Sequence, residues 1–379
     1  MKVKVLNRNP DNYLRETKRD IHRVPRNYDP SLHPFEAARE YTRALNAVKL
    51  ERVFAKPFVG NLDGHQDGVS CLGKHPSRLS LLVSGAYDGE TILTGVSHHQ
   101  KDPMFATCGE ICQIWEEDRS EPIRTFTWGV DNLHDVSFNP VETHLLAACA
   151  ADRSIILYDT REIGPVRKVI MSLKSNKVCW NPMEAFIFTC ASEDYNLYTF
   201  DTRKLQQPLF VHMDHVSAVT GIDYAPTGKE FVSGGYDKTV RIFETGKHHS
   251  RDVYHTKRMQ RLTCVLWSMD NKYILCGSDE MNIRIWKARS AEKLGVLKPR
   301  ERTALNYNEA LKQKFAGHPQ VSRIARHRHV PKHIYHAQKE LRTIKLKDKR
   351  KESNRRAHSK PGSIPFVSEK KKHVVKEQT

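Results

Sequence analysis

The sequence lacks the features of membrane proteins, secreted proteins and the common enzyme classes. It contains no apolar run long enough to cross a bilayer, and its N-terminus has no hydrophobic segment of the signal-peptide type. It also has no glycine-rich phosphate loop ahead of a helix, no GxSxG and no HExxH. These absences predict an intracellular, soluble protein that is not an enzyme and binds no cofactor, small-molecule substrate or membrane.

Patterns for disulfides and metal sites are also missing. The eight cysteines are scattered, most of them within apolar runs, and none belongs to a CxxC pair. We therefore expect small buried thiols in a reducing compartment. Cys108 and Cys112 have no second ligand pair at a spacing that would complete a zinc site. Four histidines lie close together but among cations, which repel a metal ion, so no metal site is expected; they are His327, His329, His333 and His336.

What the chain does contain is a repeat. An acidic residue is followed six or seven residues later by an aromatic one, and successive acidic residues are 42, 43 and 42 positions apart. The pairs are Asp152 with Tyr158, Asp194 with Phe200, Asp237 with Phe243, and Asp279 with Trp286. A period of about 40–45 residues is typical of a β-propeller built from four-stranded blades. The repeat predicts an all-β fold that presents surfaces to partners.

Two repeat units also carry a histidine near their start and an aspartate at a later turn. His215 with Asp237, and His65 with Asp88, fit this pattern. A buried polar pair whose members satisfy each other can fix a turn within one blade. We interpret both pairs as structural and not as catalytic dyads.

The period is interrupted once. The next position equivalent to Asp88 is Gly109. The spacing between them is 21 residues, which is half a repeat. Adding about 63 residues would restore two full periods and bring the blade count to seven, a common closed number. We infer that about one and a half blades are missing after Glu90, through splicing or a gene-model error. The alternative is a natural six-bladed ring with a short first blade. As the sequence stands, the chain should form five complete blades, centred near residues 109, 152, 194, 237 and 279, and one damaged blade at about 60–100.

The net charge of +18 is concentrated at the C-terminal end. Residues 1–50 carry a net +5, residues 51–287 a net −4 and residues 288–379 a net +17. These ranges define an N-terminal extension, a propeller and a basic C-terminal domain. A nearly neutral scaffold with a cationic arm suggests a polyanionic partner.

Outside the repeats, apolar spacing predicts short helices. One is expected over about 34–48, one over 301–315 and one from Pro331 to Lys345. Arg52–Phe58 is expected to be a strand, either lent to the last blade to close the ring or serving as an ordinary edge strand. The segment from Lys347 onward has few apolar residues and is expected to be disordered until it binds.

The basic segment predicts contact with RNA or a ribonucleoprotein. Lysine and arginine neutralise phosphates and release counterions, and arginine stacks on unpaired bases. The alternative is a nuclear import signal within a solvated charge run, and the two are compatible. The candidate contacts are Arg323, Arg326, Arg328, Lys332, Lys345, Lys347, Lys349, Arg350 and Lys351.

Two strand ends share the pattern aromatic-Asp-x-Arg. One runs from Tyr158 and Asp159 to Arg161, and the other comprises Phe200, Asp201 and Arg203. Each Asp and Arg can form an ion pair within a blade. Alternatively, the two arginines form an exposed docking patch, since arginine is well suited to protein interfaces. Both interpretations stay open.

Several longer runs are specific enough to indicate a family. The chain resembles the WD-repeat and Sof-domain-containing family, also called the cullin-associated factor thirteen family, over almost its whole length. The runs that carry the resemblance are 1–4, 7–8, 54–58, 180–186, 254–260 and 277–282, and, in the Sof-like part, 324–329 and 358–363.

The resemblance implies a seven-bladed WD-repeat propeller, here about six blades with a truncated first one, and a helical basic C-terminal extension. It implies a nucleolar and nuclear protein of the small-subunit processome. Such a protein acts with pre-rRNA, a small nucleolar ribonucleoprotein and other processome proteins in maturation of the small-subunit rRNA. It also implies an alternative or second role as substrate receptor of a cullin-four RING ubiquitin ligase. The ligase adaptor would dock on the two aromatic-Asp-x-Arg motifs, in which Tyr158 and Phe200 replace the family's usual tryptophan. The family carries the blades that are missing here between Glu90 and Thr91.

Overall fold

The computed structural model describes residues 30–75, 79, 81–86, 94–116, 118–126, 132–162 and 164–378. Contacts between Cα atoms divide this part of the chain into two compact units. The helical unit holds the described residues up to Lys56 together with Ala291–His327. The sheet unit holds Pro57–Ser290 and the described residues from Arg328 onward.

The helical unit contains a short 3₁₀ helix and three α-helices. They are Pro30–Leu32, α1 (Glu36–Val53), α2 (Pro299–Lys314) and α3 (Pro319–Arg326). Helices α2 and α3 each begin with proline, whose fixed φ suits a first helical turn and whose missing N–H costs nothing there. Ala44 and Val48 of α1 are buried, as are Leu311 of α2 and Val321 of α3. These small apolar contacts form the core of the unit.

The strand predicted for residues 52–58 is wrong over its first part. Helix α1 continues to Val53, and the first strand starts only at Phe58. Arg52 donates a hydrogen bond to the Ala325 carbonyl, and Glu51 accepts one from Lys312 Nζ at 2.8 Å. Contacts with α2 and α3 therefore hold the last turn of α1 in a helix, which local sequence alone does not indicate.

The sheet unit contains five sheets of four or five strands and one two-stranded hairpin within its described residues. In chain order the strands are β1 (Phe58–Asp63), β2 (Val69–Lys74), β3 (Leu82–Ala86), β4 (Gly95–His98), β5 (Met104–Cys108), β6 (Cys112–Glu116), β7 (Arg124–Phe126), β8 (Leu133–Phe138), β9 (Leu145–Ala150), β10 (Ser154–Asp159), β11 (Pro165–Met171), β12 (Ser175–Trp180), β13 (Ile187–Ser192), β14 (Leu197–Asp201), β15 (Phe210–His212), β16 (Val219–Tyr224), β17 (Glu230–Gly235), β18 (Val240–Glu244), β19 (Asp252–Tyr254), β20 (Leu262–Trp267), β21 (Tyr273–Ser278), β22 (Asn282–Lys287) and β23 (Val374–Gln378). All the pairings are antiparallel. The sheets are β4–β7, β8–β11 with β23, β12–β15, β16–β19, β20–β22 with β1, and the hairpin β2–β3.

This architecture confirms the all-β repeat fold with a helical C-terminal region. The five larger sheets contain the predicted centres near 109, 152, 194, 237 and 279, and the hairpin β2–β3 falls within the predicted damaged segment. Asp88 and the Glu90–Thr91 junction lie outside the described residues. Their expected roles are therefore not addressed by the structure.

The acidic-aromatic repeat has a simple structural basis. Asp152, Asp194 and Asp237 each begin a tight turn by accepting a hydrogen bond from the amide two residues later, as in Asp152 with Ser154 (2.9 Å) and Asp237 with Thr239 (3.1 Å). The aromatic residue that follows is buried. Phe243, for example, stacks on its cross-strand partner Phe231 at 5.4 Å between ring centroids.

The histidine–aspartate pair predicted for the repeat centred near residue 237 is confirmed. His215 Nδ1 lies 2.9 Å from Asp237 Oδ2, and His215 Nε2 lies 2.7 Å from Ser233 Oγ. All three side chains are buried. In the hairpin, His65 Nε2 makes the equivalent contact with Ser84 Oγ at 2.7 Å. These histidines join the ends of strands inside one sheet, which is a structural role.

The first strand closes the last sheet. Strand β1 pairs with β22 from Phe58 opposite Trp286 to Asp63 opposite Asn282. The prediction that an N-terminal strand pairs with the last blade is therefore confirmed, although the strand spans 58–63 and not 52–58. The two ends of the repeat region meet in a single sheet.

Four pairs of neighbouring sheets are joined by one recurring hydrogen bond. The first strand of one sheet supplies the donor, a side chain on the second residue of that strand or, for β4, on the residue that immediately precedes the strand. The acceptor is the carbonyl of the first residue in the first strand of the next sheet. The bonds are Thr94 to Leu133, Asn176 to Val219, Thr220 to Leu262 and Thr263 to Val69. They show that β4–β7 neighbours β8–β11, that β12–β15 neighbours β16–β19, and that the last sheet neighbours the hairpin.

The C-terminal segment is ordered, and its predicted disorder is wrong. Helix α4 spans Lys332–Ala357, a short helix α5 spans Glu369–Lys372, and β23 follows. Strand β23 adds a fifth strand to β8–β11, with Lys168 opposite Gln378 and Met171 opposite Val374. Low hydrophobicity does not prevent order here, because the backbone of the segment finds partners on an existing sheet edge.

The cysteines behave as small apolar residues. Six of the eight are buried, Cys179 is half-buried, Cys71 on β2 is exposed, and all eight are free thiols. Burial raises the pKa of Cys108 to about 11. Among the described helices, none is both long and apolar enough to span a membrane.

Replacing Thr220 with valine tests the bond between sheets. The change keeps the shape of the side chain but removes the donor to the Leu262 carbonyl (2.7 Å). We expect a decrease of about 1 kcal/mol in the free energy of unfolding and faster amide exchange in β20. Thr245→Val is the control, because its hydroxyl contacts the Lys229 carbonyl at the surface (3.3 Å). Equal effects of the two substitutions would contradict the role given to Thr220.

Candidate nucleic-acid and partner interfaces

The start of α4 is anchored on the sheet unit by three contacts. Arg328 Nε lies 3.8 Å from Asp252 Oδ1, beside β19. His255 Nε2 lies 3.3 Å from His329 Nδ1 and 3.2 Å from the His329 carbonyl. Ile334 is the buried residue of the helix, at 3% exposure. The beginning of α4 is thus fixed to the sheet unit.

Two histidines, His255 and His329, are central to this anchor. Burial lowers the pKa of His255, so its neutral ring accepts or donates a hydrogen bond without adding charge. Within the described part of the chain, no three histidine, cysteine or carboxylate side chains converge in a way that could hold a metal ion.

The second half of α4 leaves the sheets and is open to solvent. Every residue from 342 to 355 is exposed. Five of the nine predicted RNA contacts lie here within two turns of helix: Lys345, Lys347, Lys349, Arg350 and Lys351. Sequence reasoning missed the neighbouring cations Lys339, Arg342, Arg355 and Arg356, which the same helical spacing would have included.

The other four predicted contacts are distributed differently. Lys332 is exposed at the first turn of α4. Arg328 is only 20% exposed and faces Asp252, so its main contact is within the protein. Arg323 and Arg326 are on α3, in the helical unit. The structure therefore gathers the α4 residues on one helix and leaves Arg323 and Arg326 on a separate unit.

After α4 the chain folds back along the helix. Lys372 Nζ contacts both carboxylate oxygens of Glu352 at 2.8 and 2.9 Å, and this bond raises the pKa of Lys372. The guanidinium of Arg356 lies over the Phe366 ring at 4.8 Å. These surface contacts hold the returning segment next to the last turns of the helix.

The returning segment then crosses two sheets. Lys370 Nζ lies 5.6 Å from the centroid of the Phe210 ring on β15. His373 Nδ1 lies 2.8 Å from the Tyr198 hydroxyl, and the His373 carbonyl accepts a bond from the Ser172 amide at 2.9 Å. Together with β23, these contacts attach the far end of the C-terminal segment to the sheet unit. The exposed helix is consequently held at both of its ends.

The two aromatic-Asp-x-Arg motifs end strands β10 and β14 on the same edge of neighbouring sheets. Asp159 accepts bonds from Arg161 Nε at 3.1 Å and from its Nη2 at 2.9 Å, and these bonds hold the pKa of Asp159 below its usual range. Asp201 lies 3.6 Å from Arg203 Nε. The intrablade ion pairs are therefore present in both motifs.

Both arginines are nevertheless available to a partner. The Arg161 side chain is 67% exposed and that of Arg203 is 66% exposed. Arg203 also lies over the ring of Phe186, with its Cζ 4.1 Å from the centroid, a contact that sequence spacing does not reveal. We call this exposed pair, Arg161 and Arg203, the arginine rim.

The aromatic members of the motifs point the other way. Tyr158 is 1% exposed and Phe200 is fully buried, so neither can touch a docking partner directly. Sequence reasoning grouped them with the arginines as docking residues, but they belong to the core. A second pair of arginines fixes the rim: Arg124 Nη1 donates to the Glu162 carbonyl and Arg167 Nη1 to the Thr202 carbonyl, both at 2.9 Å.

Comparison with known proteins finds two family models that match this chain. A family model described as "Sof1-like domain" matches residues 288–374. A second, described as "WD domain, G-beta repeat", matches residues 56–93, 120–159, 206–244 and 249–287. Residues 160–205 lie between two of these matches, and the structure places most of the four-stranded sheet β12–β15 there.

Relatives that align over nearly their whole length indicate the same family. A Xenopus laevis protein and a Homo sapiens protein, both named "DDB1- and CUL4-associated factor 13", are each 55% identical over 441 positions, covering 99% of this chain and 99% of their own. "Protein SOF1" of Saccharomyces cerevisiae is 38% identical over 465 positions, covering 99% of this chain and 94% of its own. The chain belongs to this family of WD-repeat proteins with a Sof1-like domain.

Membership in the family bears on the interrupted repeat. The alignment with the Xenopus laevis relative spans 441 positions, whereas this chain has 379 residues. At least 62 positions of that alignment therefore have no counterpart in this chain. This difference is close to the addition that would restore the repeat period.

Proposed function

We propose that this protein is a non-catalytic ribosome-assembly factor that acts in the nucleolus as a scaffold of the small-subunit processome. Its sheets hold protein partners, and α4 binds pre-rRNA or the associated small nucleolar ribonucleoprotein. The observation that carries the proposal is the fully exposed, cationic second half of α4, anchored at both ends on the sheet unit. Membership of the Sof1 family supports it.

Helix α4 is suited to phosphate more than to a folded protein surface. Residues 342–355 expose seven cations, from Arg342 to Arg355, and bury no apolar side chain. Such a surface gains binding energy mainly by releasing counterions from a polyanion. The net charge of residues 51–287, −4, keeps the sheets from competing for the same ligand.

Changing five α4 cations to glutamine tests the RNA role. The variant replaces Lys345, Lys347, Lys349, Arg350 and Lys351, and glutamine preserves helix propensity. Against a fragment of small-subunit pre-rRNA, we expect the slope of log affinity against log salt to fall by roughly 0.7–0.9 for each phosphate that the helix no longer neutralises. The measurement is a binding titration at several salt concentrations.

A matched triple variant on the sheets serves as the control. Lys204, Lys229 and Lys257 are exposed there, and their change to glutamine should leave the slope unaltered. If the α4 variant keeps the wild-type affinity and slope, α4 does not bind the RNA and the proposed function fails.

A second role is favoured by the arginine rim. We propose that the rim docks the adaptor of a cullin-four RING ubiquitin ligase, so that the protein also acts as a substrate receptor. The vertebrate relatives are named for association with DDB1 and CUL4. Arg161 and Arg203 support this role because they are exposed on neighbouring sheets and held in place by their aspartates.

Arg161→Gln with Arg203→Gln should lower affinity for DDB1 at least tenfold, since interface arginines often contribute more than about 1 kcal/mol each. RNA binding should not change, because α4 is untouched. Arg153→Gln with Arg258→Gln is the matched control, as both residues are exposed and Arg153 precedes β10 where Arg161 follows it. Surface plasmon resonance with purified DDB1 provides the measurement. Wild-type affinity in the Arg161/Arg203 variant would remove the rim from the docking site.

We further propose that this form of the chain lacks about one and a half blades between Glu90 and Thr91. The half-period gap from Asp88 to Gly109 and the 62 unmatched positions support this. Sequencing the transcript across the Glu90–Thr91 codons should reveal a longer form with about 60 additional codons, enough for the missing strands at about 40–45 residues per blade. A transcript population without any insertion there, together with contiguous genomic coding sequence, would favour a natural six-bladed ring.

A further inference from the structure

The cations of α4 surround the helix. Between residues 339 and 356 there are nine lysines and arginines and three carboxylates. At about 100° of rotation per residue, no sector wider than about 80° lacks a cation. The nine are Lys339, Arg342, Lys345, Lys347, Lys349, Arg350, Lys351, Arg355 and Arg356.

Two stripes of three cations run along nearly opposite sides of the exposed half. Stripe one consists of Lys347, Lys351 and Arg355, and stripe two of Arg342, Lys345 and Lys349. Their mean directions differ by about 150° at the helical pitch. All six side chains belong to exposed residues. A helix that lay on one flat surface would need only one such stripe.

This distribution is unfavourable for the helix alone. Lys347 with Lys351, Lys351 with Arg355, and Lys345 with Lys349 are like-charge pairs at i,i+4, and each costs about 0.2–0.5 kcal/mol. Phosphates on one side of the helix would relieve only one stripe. Phosphates on both sides would relieve both.

The three carboxylates do not remove this two-sided character. Glu352 already accepts bonds on both of its oxygens from Lys372, at 2.8 and 2.9 Å. Glu340 precedes both stripes along the chain, and Asp348 is a single carboxylate among their six cations. Both stripes stay open to an external anion.

The ends of the helix leave this half clear of the sheets. The anchor at His255, Arg328 and Ile334 holds the first turns, and the contacts of Lys370 and His373 hold the returning segment. Between them, residues 342–355 extend over about 21 Å at 1.5 Å per residue. All six stripe residues are exposed along that length.

We infer that α4 inserts between two RNA backbones and bridges them, with one stripe on each. This inference rests on the proposed function, and it names the ligand as RNA in which two helices or strands lie side by side. The major groove of A-form RNA is deep and narrow, so a helix about 10–12 Å wide fits between two backbones more readily than within one groove.

The experiment compares two RNAs of equal length in the full-length protein. One is a single continuous duplex, and the other is a three-way junction in which two duplexes lie side by side. Three variants change stripe one, stripe two or both to glutamine, and circular dichroism confirms that helix content is kept. Wild-type protein should prefer the junction about tenfold.

The stripes should behave differently on the two RNAs. On the junction, each single-stripe variant should reduce the salt slope by up to roughly 2.7, at about 0.9 for each of three phosphates, and the two reductions should add. Either single-stripe variant should bind the duplex with nearly wild-type affinity, because the unchanged stripe can still contact the single RNA backbone. Only the double variant should fail to bind the duplex. The Lys204/Lys229/Lys257 variant should match wild type on both RNAs.

Three results would overturn the inference. Equal affinity of wild type for junction and duplex, or dependence on the same single stripe with both RNAs, would show one-sided binding while leaving the proposed function intact. Competition by polyglutamate as effective as RNA at equal charge would show that the helix recognises acidic polypeptide. Absence of binding to either RNA would overturn the proposed function as well.

Discussion

The hydrogen bond from one inner strand to the carbonyl that opens the next is the constraint on which the sheet unit depends. A sheet of four short strands cannot bury both of its faces alone, so it is stable only against a neighbour. The bond of Thr220 to Leu262 fixes that neighbour in register, and Asn176 supplies the same bond one sheet earlier. Once the register is fixed, buried aromatics such as Phe231 and Phe243 meet across strands. The two sheets that carry the arginine rim are joined differently: the Val178 amide donates to Asp135 Oδ2 and the Trp180 indole donates to the Ser137 carbonyl, both at 3.0 Å.

Two long-range strand pairings then determine where the functional segments lie. Strand β1 completes the last sheet, and β23 extends the sheet β8–β11 by one strand. The second pairing matters more for function. It attaches the end of a strongly cationic segment that buries few apolar side chains of its own, so the helix α4 is held in one place. Presentation of a preformed helix lowers the entropy cost of binding a polyanion.

The sequence predicted the fold well where its signals were local and repeated. The spacing of Asp152, Asp194 and Asp237 reports tight turns, and the buried pair His215–Asp237 followed from the same pattern. Errors occurred where distant contacts decide the structure. The last turn of α1 depends on α2 and α3, and β23 depends on β11, which lies about 200 residues earlier in the chain. In the docking motifs the sequence identified the right strand ends, but it could not show that Tyr158 faces the core while Arg161 faces solvent.

The division of charge suits the two kinds of partner proposed for this chain. If the cations were spread over the sheets, a polyanion would bind the rim as readily as the helix, and protein docking would compete with RNA at every site. Here the rim arginines are partly neutralised by Asp159 and Asp201, which reduces their attraction for phosphate while their planar guanidinium groups stay exposed for specific contacts. Helix α4 has the opposite design, since its cations far outnumber its carboxylates. In the proposed function, an arginine with an acidic residue beside it serves protein contact, and a cation without one serves RNA contact.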